Sequence, residues 1–268
     1  EGRSLIGALA PRIELLGQRT AEMHRGLVDE QPDSELVAES FTPHYQRGLY
    51  QSMRSHAARV FEQLERRVSR LSDEVRAEAE SLVARKKQVF AGFDRSVKVG
   101  QLTGARIRGH GDFHLGQVLD TGRDWVIIDF EGEPARPLSE RRIKRSPLRD
   151  VAGMMRSFDY VYAESVRHVV ATGAVQPGTE QHELVSRVLL RWTEVVSDVY
   201  LDAYVKAMDG TKMLPSTLDG LDRLLGAYLL DKSIYELAYE LNNRPKLLPI
   251  PLAGVSAALA SLEKISNE

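Results

Sequence analysis

Three side chains in the middle of the sequence have the types and spacing to do chemistry together: Asp112, Gln117 and Asp129. The first two lie in His110-Gly111-Asp112-Phe113-His114-Leu115-Gly116-Gln117, and the third in Ile127-Ile128-Asp129-Phe130-Glu131. Short β-type runs at 117–119 and 125–128 flank the turn-rich stretch Asp120-Thr121-Gly122-Arg123-Asp124, which predicts a hairpin. With Leu119 opposite Trp125, Val118 faces Val126 and shares an apolar face with Ile128. Gln117, Ile127 and Asp129 then occupy the other face. Gln117 and Asp129 become diagonal neighbours, about 7 Å apart. An amide oxygen and a carboxylate at that spacing suit one hard cation such as Mg²⁺, which keeps waters and leans on phosphate oxygens. Asp112, in the glycine-containing loop just before, can orient an alcohol and accept its proton while a phosphoryl group is transferred.

The neighbouring residues admit two readings each. His110 and His114 have the His-x₃-His spacing of some metal sites, but no Cys exists and no third His lies nearby. The plainer reading makes His110 a scaffold of the loop backbone. His114 then either orients Asp112 or packs beneath the phosphates, which places it with Gln117 and Asp129 as a nucleotide-side residue. Glu131, with Glu133, either contacts a metal-bound water or the sugar, or is a solvated acid. Arg141, Arg142, Lys144 and Arg145 form either a solvated loop or a cationic flap that closes on phosphate; no aromatic residues interleave them as a nucleic-acid surface requires.

Farther on, Tyr235 and Tyr239 stand four residues apart on a predicted helix and are therefore neighbours. Both lie about 200° round from the stripe of Leu230, Ile234, Leu237 and Leu241. Such a face meets a cleft, a partner or another helix; rings that cover apolar C–H surface while their hydroxyls bond polar groups suit sugars.

The elements that must position these groups are mostly helical in period. An apolar stripe runs from Leu5 through Leu9, Ile13 and Leu16 toward Leu27. Helices are expected at about 45–71, 73–93, 180–208, 215–243 and 251–266. Another begins at Ser146-Pro147, where Ser is a good N-cap and Pro a good first residue. The fold class expected is mainly α with a small β-hairpin: a helical part over 1–105, catalytic and metal loops with the hairpin over 106–146, and a second helical part over 147–268.

The bulk properties narrow the partners. The 268 residues carry a formal charge of −2, so no overall field draws the chain to nucleic acid or an acidic membrane. No apolar run reaches the roughly 20 residues that span a bilayer. The absence of Cys excludes disulfides and Cys-ligated zinc and fits a cytoplasmic setting. The opening Glu1-Gly2-Arg3-Ser4 has neither a signal pattern nor an initiator Met, and reads as the start of a fragment.

The central segment resembles the catalytic and metal loops of the aminoglycoside-phosphotransferase-like kinases, whose pattern is His-Gly-Asp-x-His-x-x-Asn followed by Ile-Asp-Phe/Trp-Glu. Gln117 stands where Asn is usual, a replacement found in the maltokinase branch. Gly109–Leu119, Ile128–Pro134, Pro137–Tyr160 and Tyr235–Pro245, with its Tyr-Glu-x-x-Tyr-Glu-x-x-Asn-Arg-Pro, carry the resemblance to that branch. It implies the C-terminal, sugar-binding lobe of a protein-kinase-like fold, with the β-rich N-terminal lobe and its phosphate-binding Lys absent from the chain. It further implies ATP and Mg²⁺ as cofactors, Asp112 as base, and Gln117 and Asp129 as metal ligands. Tyr235, Glu236, Tyr239 and Arg244 become sugar contacts, with Asp112 and Glu131. The reaction implied is ATP + maltose → maltose 1-phosphate + ADP, in α-glucan and trehalose metabolism, with trehalose synthase as a fused or separate partner. Two alternatives stand beside it: a related amino-sugar kinase, such as a glucosamine kinase, and a non-catalytic kinase-like domain that stabilises trehalose synthase.

Overall fold

The computed structural model describes residues 2–31, 33–98, 100–134 and 136–265. Glu1, on which the reading of a fragment start partly rests, and Ser266, the expected end of the last helix, lie outside them. In chain order the helices are α1 Gly2–Ile6, α2 Ala10–Gly26, α3 Pro43–Arg67, α4 Asp73–Ala84, α5 Lys86–Ser96, α6 Leu138–Arg141, α7 Leu148–Ala171, α8 Glu180–Ala207, α9 Leu218–Asn243 and α10 Pro249–Ile265. The strands are β1 Glu39–Ser40, β2 Ala105–Arg106, β3 Val118–Asp120 and β4 Trp125–Ile127. Local chemistry sets many of the helix starts. Thr42, Thr179 and Thr217 accept the N–H three residues on, and Ser146 accepts from Leu148 ahead of α7. The single helix expected over 73–93 is instead two, broken at Arg85, whose backbone (φ −89°, ψ 9°) leaves the helical region.

The chain divides into two units. The first comprises the residues up to Ala38, Ile107–Lys144 and Gly153–Thr211; the second comprises Glu39–Arg106, Arg145–Ala152 and the residues from Lys212 on. The expected partition into a helical part, a loop part and a second helical part is not the one these contacts draw. Both units are mostly helical, and each draws on both halves of the sequence. Helical periodicity reports elements; it carries no information on the long-range contacts that assort them.

In the second unit α9 packs on α3 and α10, with Leu224, Leu230, Ile234 and Leu237 buried against a core that includes Phe61, Leu64, Val255 and Leu259. β1 and β2 pair there, Glu39 with Arg106 and Ser40 with Ala105, a two-residue ladder without sequence signal. The segment Pro245–Ile265 is long and apolar enough to cross a membrane by length and composition alone. Half of its apolar window is buried, with Leu252, Val255, Leu259 and Leu262 turned into the core.

The first unit holds the hairpin. Its spine is α2 against α8, closed by the buried side chains of Leu16, Ala21, Tyr200 and Tyr204. The Tyr200 hydroxyl donates to Thr20 Oγ1 (3.2 Å), and Tyr204 Oη lies 3.0 Å from His24 Nδ1, so the polar atoms of this core are partnered. The outer face of α2 carries the hairpin. Arg19 grips Asp124 through two bonds, Nε to Oδ1 (2.8 Å) and Nη2 to Oδ2 (3.1 Å). Arg12 pairs with Asp120 and lies over the Trp125 ring, 4.9 Å from its centre, while Trp125 Nε1–H donates to the Arg12 carbonyl (2.8 Å).

The hydrogen bond from Arg19 holds the Asp124 carboxyl below the usual range, helped by the N–H of Trp125. A carboxylate with a lowered native pKa stabilises its docked state fully above about pH 4, and loses that contribution as pH falls through the lowered value. In a Trp192→Phe background, where Trp125 is the only indole, its emission is expected to redden in that acid range. Arg19→Met is expected to redden it already at neutral pH. An unshifted emission in Arg19→Met would contradict this docking.

Candidate active site

The site is built on a buried histidine. His110 is 1% exposed, its ring packed between Phe113 and Phe130 at centroid distances of 5.2 and 5.0 Å. His110 Nε2–H donates to the Ile128 carbonyl (2.8 Å), while Nδ1 accepts the backbone N–H of Asp112 (3.4 Å). Both nitrogens are thus committed to backbone, which makes the ring a neutral strut between the Asp112 loop and the strand that leads into Asp129. A ring so used has no lone pair left for a metal. Of the two readings offered by the His-x₃-His spacing, the structure favours the scaffold. Gly111 lets the strut work: its φ of 89° belongs to glycine, and a Cβ there would sit 3.3 Å from Gly132 Cα in the facing loop.

From the other side α7 holds the loop at close quarters. A Cβ on Gly153 would meet the Phe113 carbonyl oxygen at 2.5 Å, so only glycine allows the helix this near. One turn on, Ser157 Oγ accepts the Leu115 N–H (3.2 Å) and donates to the Met154 carbonyl (2.6 Å). Asp112 is mostly covered, with 17% of its side chain exposed. His114 Nε2 lies 3.9 Å from Asp112 Oδ2, and its Nδ1 accepts the Gly116 N–H (3.0 Å). Because Nδ1 is an acceptor, the proton of a neutral ring sits on Nε2, toward the carboxylate. The distance is too long for a direct hydrogen bond and leaves the two groups as a close polar pair.

The hairpin register differs from the expected one by a residue: Val118 pairs with Ile127, Leu119 with Val126 and Asp120 with Trp125. Gln117 therefore faces Ile128, whose N–H donates to the Gln117 carbonyl (3.0 Å). The apolar face predicted for Val118, Val126 and Ile128 is not formed; Val118 is buried, while Leu119 and Val126 are exposed. A one-residue slip reverses every face of a strand, and on alternation alone it would separate Gln117 from Asp129. The backbone restores the meeting. Asp129 has φ 64°, the one left-handed non-glycine residue among the described residues. Its carboxylate turns to Gln117, where Nε2–H donates to Oδ2 at 2.9 Å. Asp tolerates this conformation better than most residues, at an expense of order 1–3 kcal/mol, and such outliers concentrate at functional sites. Asp129 is exposed and Gln117 partly buried.

Glu131 is exposed, with no hydrogen bond or ion pair among the described residues. No group of three or more His, Cys, Asp or Glu among the described residues is arranged to hold a metal unaided. The Gln117–Asp129 pair still offers hard oxygens, Oε1 of the amide and the carboxylate, of the kind Mg²⁺ accepts alongside phosphate oxygens.

The remaining expected residues lie in the second unit. Tyr235 is partly buried, with Lys232 Nζ over its ring at 5.0 Å and the His56 ring 6.3 Å away. Tyr239 is 45% exposed, and the Arg244 guanidinium lies over it at 5.3 Å. Glu236 is buried at 7% exposure. Sequence reasoning missed Glu240, fully buried and bonded twice by Arg244, Nε to Oε2 (2.9 Å) and Nη2 to Oε1 (2.6 Å). Its signal was present as a Glu–Arg pair four apart. The His56–Asp231 bond (2.9 Å) joins residues 175 apart and gave no such signal.

No family model matches the chain. It is similar to the glucosamine kinase of Mycolicibacterium smegmatis (strain ATCC 700084 / mc(2)155), 31% identical over 163 residues, which is 60% of this chain and 37% of that protein. It is also similar to the glucosamine kinase of Streptacidiphilus jiangxiensis, 28% identical over 144 residues, 53% of this chain and 29% of that one. The chain thus spans well under half the length of these curated relatives. Among solved structures, glucosamine kinase in crystal form A matches with a TM-score of 0.73 at 23% identity, over 100% of this chain and 58% of that one. Glucosamine kinase in complex with glucosamine, ADP and inorganic phosphate matches with a TM-score of 0.72 at 23% identity, over 100% and 59%.

Two expectations are corrected by these likenesses. The relatives are glucosamine kinases, so the assignment to the maltokinase branch is overturned; maltose and the trehalose-synthase partnership lose their support with it. The described fold is that of glucosamine kinase along this whole chain, and nothing in it identifies a kinase C-terminal lobe with its N-terminal lobe missing.

The strut can be tested apart from any activity. A long-range ¹⁵N–¹H correlation spectrum near pH 8 is expected to show His110 and His114 as Nε2–H tautomers; an Nδ1–H signal from His110 would refute its bonding to Ile128 and Asp112. His110→Ala is expected to cost about 2–4 kcal/mol in urea unfolding, since it opens a cavity and leaves a buried carbonyl unpaired.

Proposed function

We propose that the protein is an ATP-dependent kinase of an amino sugar, with glucosamine as the acceptor. The observation that carries the reading is the junction at His110. One ring ties the backbone of Asp112 to the strand end from which Asp129 reaches Gln117. A proton acceptor on one side of that junction and two oxygen donors on the other are the parts that phosphoryl transfer to a hydroxyl needs. The amino-sugar acceptor is supported by the relatives, which are named glucosamine kinases, and by a solved neighbour that holds glucosamine, ADP and phosphate.

In this proposal Asp112 accepts the proton of the attacking sugar hydroxyl as its oxygen bonds to the γ-phosphorus, and the bond to ADP breaks. His114, on the nucleotide side, keeps the Asp112 carboxylate turned toward that hydroxyl. Gln117 and Asp129 would hold Mg²⁺, which would supply positive charge to offset that of the nucleotide phosphates. Glu131 is close in sequence and free to meet the acceptor. Tyr235 and Tyr239, with Arg244 held beside Tyr239 by Glu240, are proposed as a sugar-binding surface of their own unit. Glu236, an acid in that buried row, is suited to the ammonium of an amino sugar, a contact that a neutral disaccharide would not use. A cytoplasmic setting belongs to the proposal because ATP is the donor.

The test is ADP release by the protein with ATP, Mg²⁺ and a panel of glucosamine, glucose and maltose. Glucosamine is expected to be the best acceptor, and Asp112→Asn to lower kcat by about 10²–10⁴ with the fold intact. Turnover within a few-fold of the parent in Asp112→Asn would refute its role as base. Equal use of all three sugars would refute the amino-sugar acceptor.

A further inference from the structure

A cleft of about 490 Å³ opens in the second unit, lined by Arg47, Tyr50 and Gln51 from α3 and by Asp94, Lys98 and Gln101 from α5 and the segment that follows it. Its volume lies within the range of small-molecule sites, about 300–1,000 Å³. Nothing in the phosphoryl-transfer proposal uses any of these residues.

Three observations give the cleft a chemistry. Its ionic groups do not neutralise each other: among the described residues, neither Arg47 nor Lys98 forms an ion pair or hydrogen bond with Asp94 or with any other side chain. Two cations against one carboxylate leave the lining with a net charge of +1, which selects an anion. The uncharged groups are those that hold hydroxylated rings: a partly buried tyrosine and two carboxamides, Gln51 and Gln101. The wall is also built rather than loose. Gln46, 1% exposed, donates from Nε2 to the carbonyls of Phe41 (3.2 Å) and Leu102 (2.8 Å) and accepts the Gly100 N–H on Oε1 (2.7 Å). One buried side chain thereby fastens the segment bearing Lys98 and Gln101 to the helix bearing Arg47 and Tyr50, with Val97 buried at the base.

We propose that this cleft is a second ligand site, for a hydroxylated compound that carries a phosphate ester. Arg47 and Lys98 take the phosphate, Tyr50 lies along the ring, and Gln51, Asp94 and Gln101 meet the hydroxyls. A sugar phosphate has these features, and a sugar kinase makes such a compound, so the site would sense product or a related ester without taking part in its formation.

The test is calorimetric titration of the full chain, without nucleotide, with glucose 6-phosphate, inorganic phosphate and glucose. The ester is expected to bind at one site at least about tenfold more tightly than inorganic phosphate, or about 1.4 kcal/mol, and glucose to give no saturable heat. Arg47→Met with Lys98→Met, both at exposed positions, is expected to weaken the ester by about tenfold or more at unchanged melting temperature. Gln51→Ala is expected to weaken the ester but not inorganic phosphate, which separates a sugar-ester site from a bare anion site. Asp112→Asn, the variant that tests phosphoryl transfer, is expected to leave this binding unchanged. Equal affinity for ester and phosphate, no binding, or undiminished binding in the Arg47/Lys98 double variant would each overturn the proposal.

Discussion

One imidazole with both nitrogens committed to backbone is the constraint on which the site rests. A neutral histidine offers one donor and one acceptor, and His110 uses the donor on Ile128 and the acceptor on Asp112. Those two backbone positions flank the groups that matter: Asp112 itself, and Asp129 next to Ile128. Burial between Phe113 and Phe130 keeps water from competing for either bond. A longer or charged side chain would satisfy only one end, and the two loops would lose their common anchor. The glycines around the strut serve the same end by removing volume. Gly111 lets one loop approach the other, and Gly153 lets α7 press on the Phe113 carbonyl.

The second constraint is Asp129. Strand pairing alone would send its carboxylate away from Gln117, yet the left-handed backbone at this one residue turns it back. The hairpin can hold that conformation because its far end is fixed. Arg19 and Arg12 on α2 clasp the turn through Asp124, Asp120 and Trp125. Strain at one end and ion pairing at the other thus belong to a single small element, whose strands are each three residues long.

Much of this could be read before the structure, and the failures have physical causes. Helix positions followed from apolar period, and one start from Ser146-Pro147, while the Thr caps at 42, 179 and 217 went unread. The break at Arg85 did not, because the charged run there has high helix propensity on both sides. The register slipped because Val118-Leu119 and Val126-Ile127 are apolar at consecutive positions, so alternation could not choose a face; nor did a two-residue turn pin it. Gln117 and Asp129 were paired for a reason the structure does not use, since the expectation came from strand geometry and the contact comes from a backbone twist. The division into units was illegible because it depends on contacts far apart in sequence. The sugar was misread for a different reason. His-Gly-Asp-x-His and Ile-Asp-Phe-Glu are short motifs, and the assignment to one branch rested on Gln117 and on a few residues of one helix, a pattern too short to separate related branches.

The central claim is that Gln117 and Asp129 jointly hold the cation of a bound nucleotide beside Asp112. Paramagnetic relaxation by Mn²⁺ tests it most directly, with the Gln117 side-chain amide as the reporter. The account predicts that Mn²⁺·ADP broadens that amide resonance beyond detection and that excess Mg²⁺ restores it. An amide signal that survives saturating Mn²⁺·ADP unchanged would contradict it.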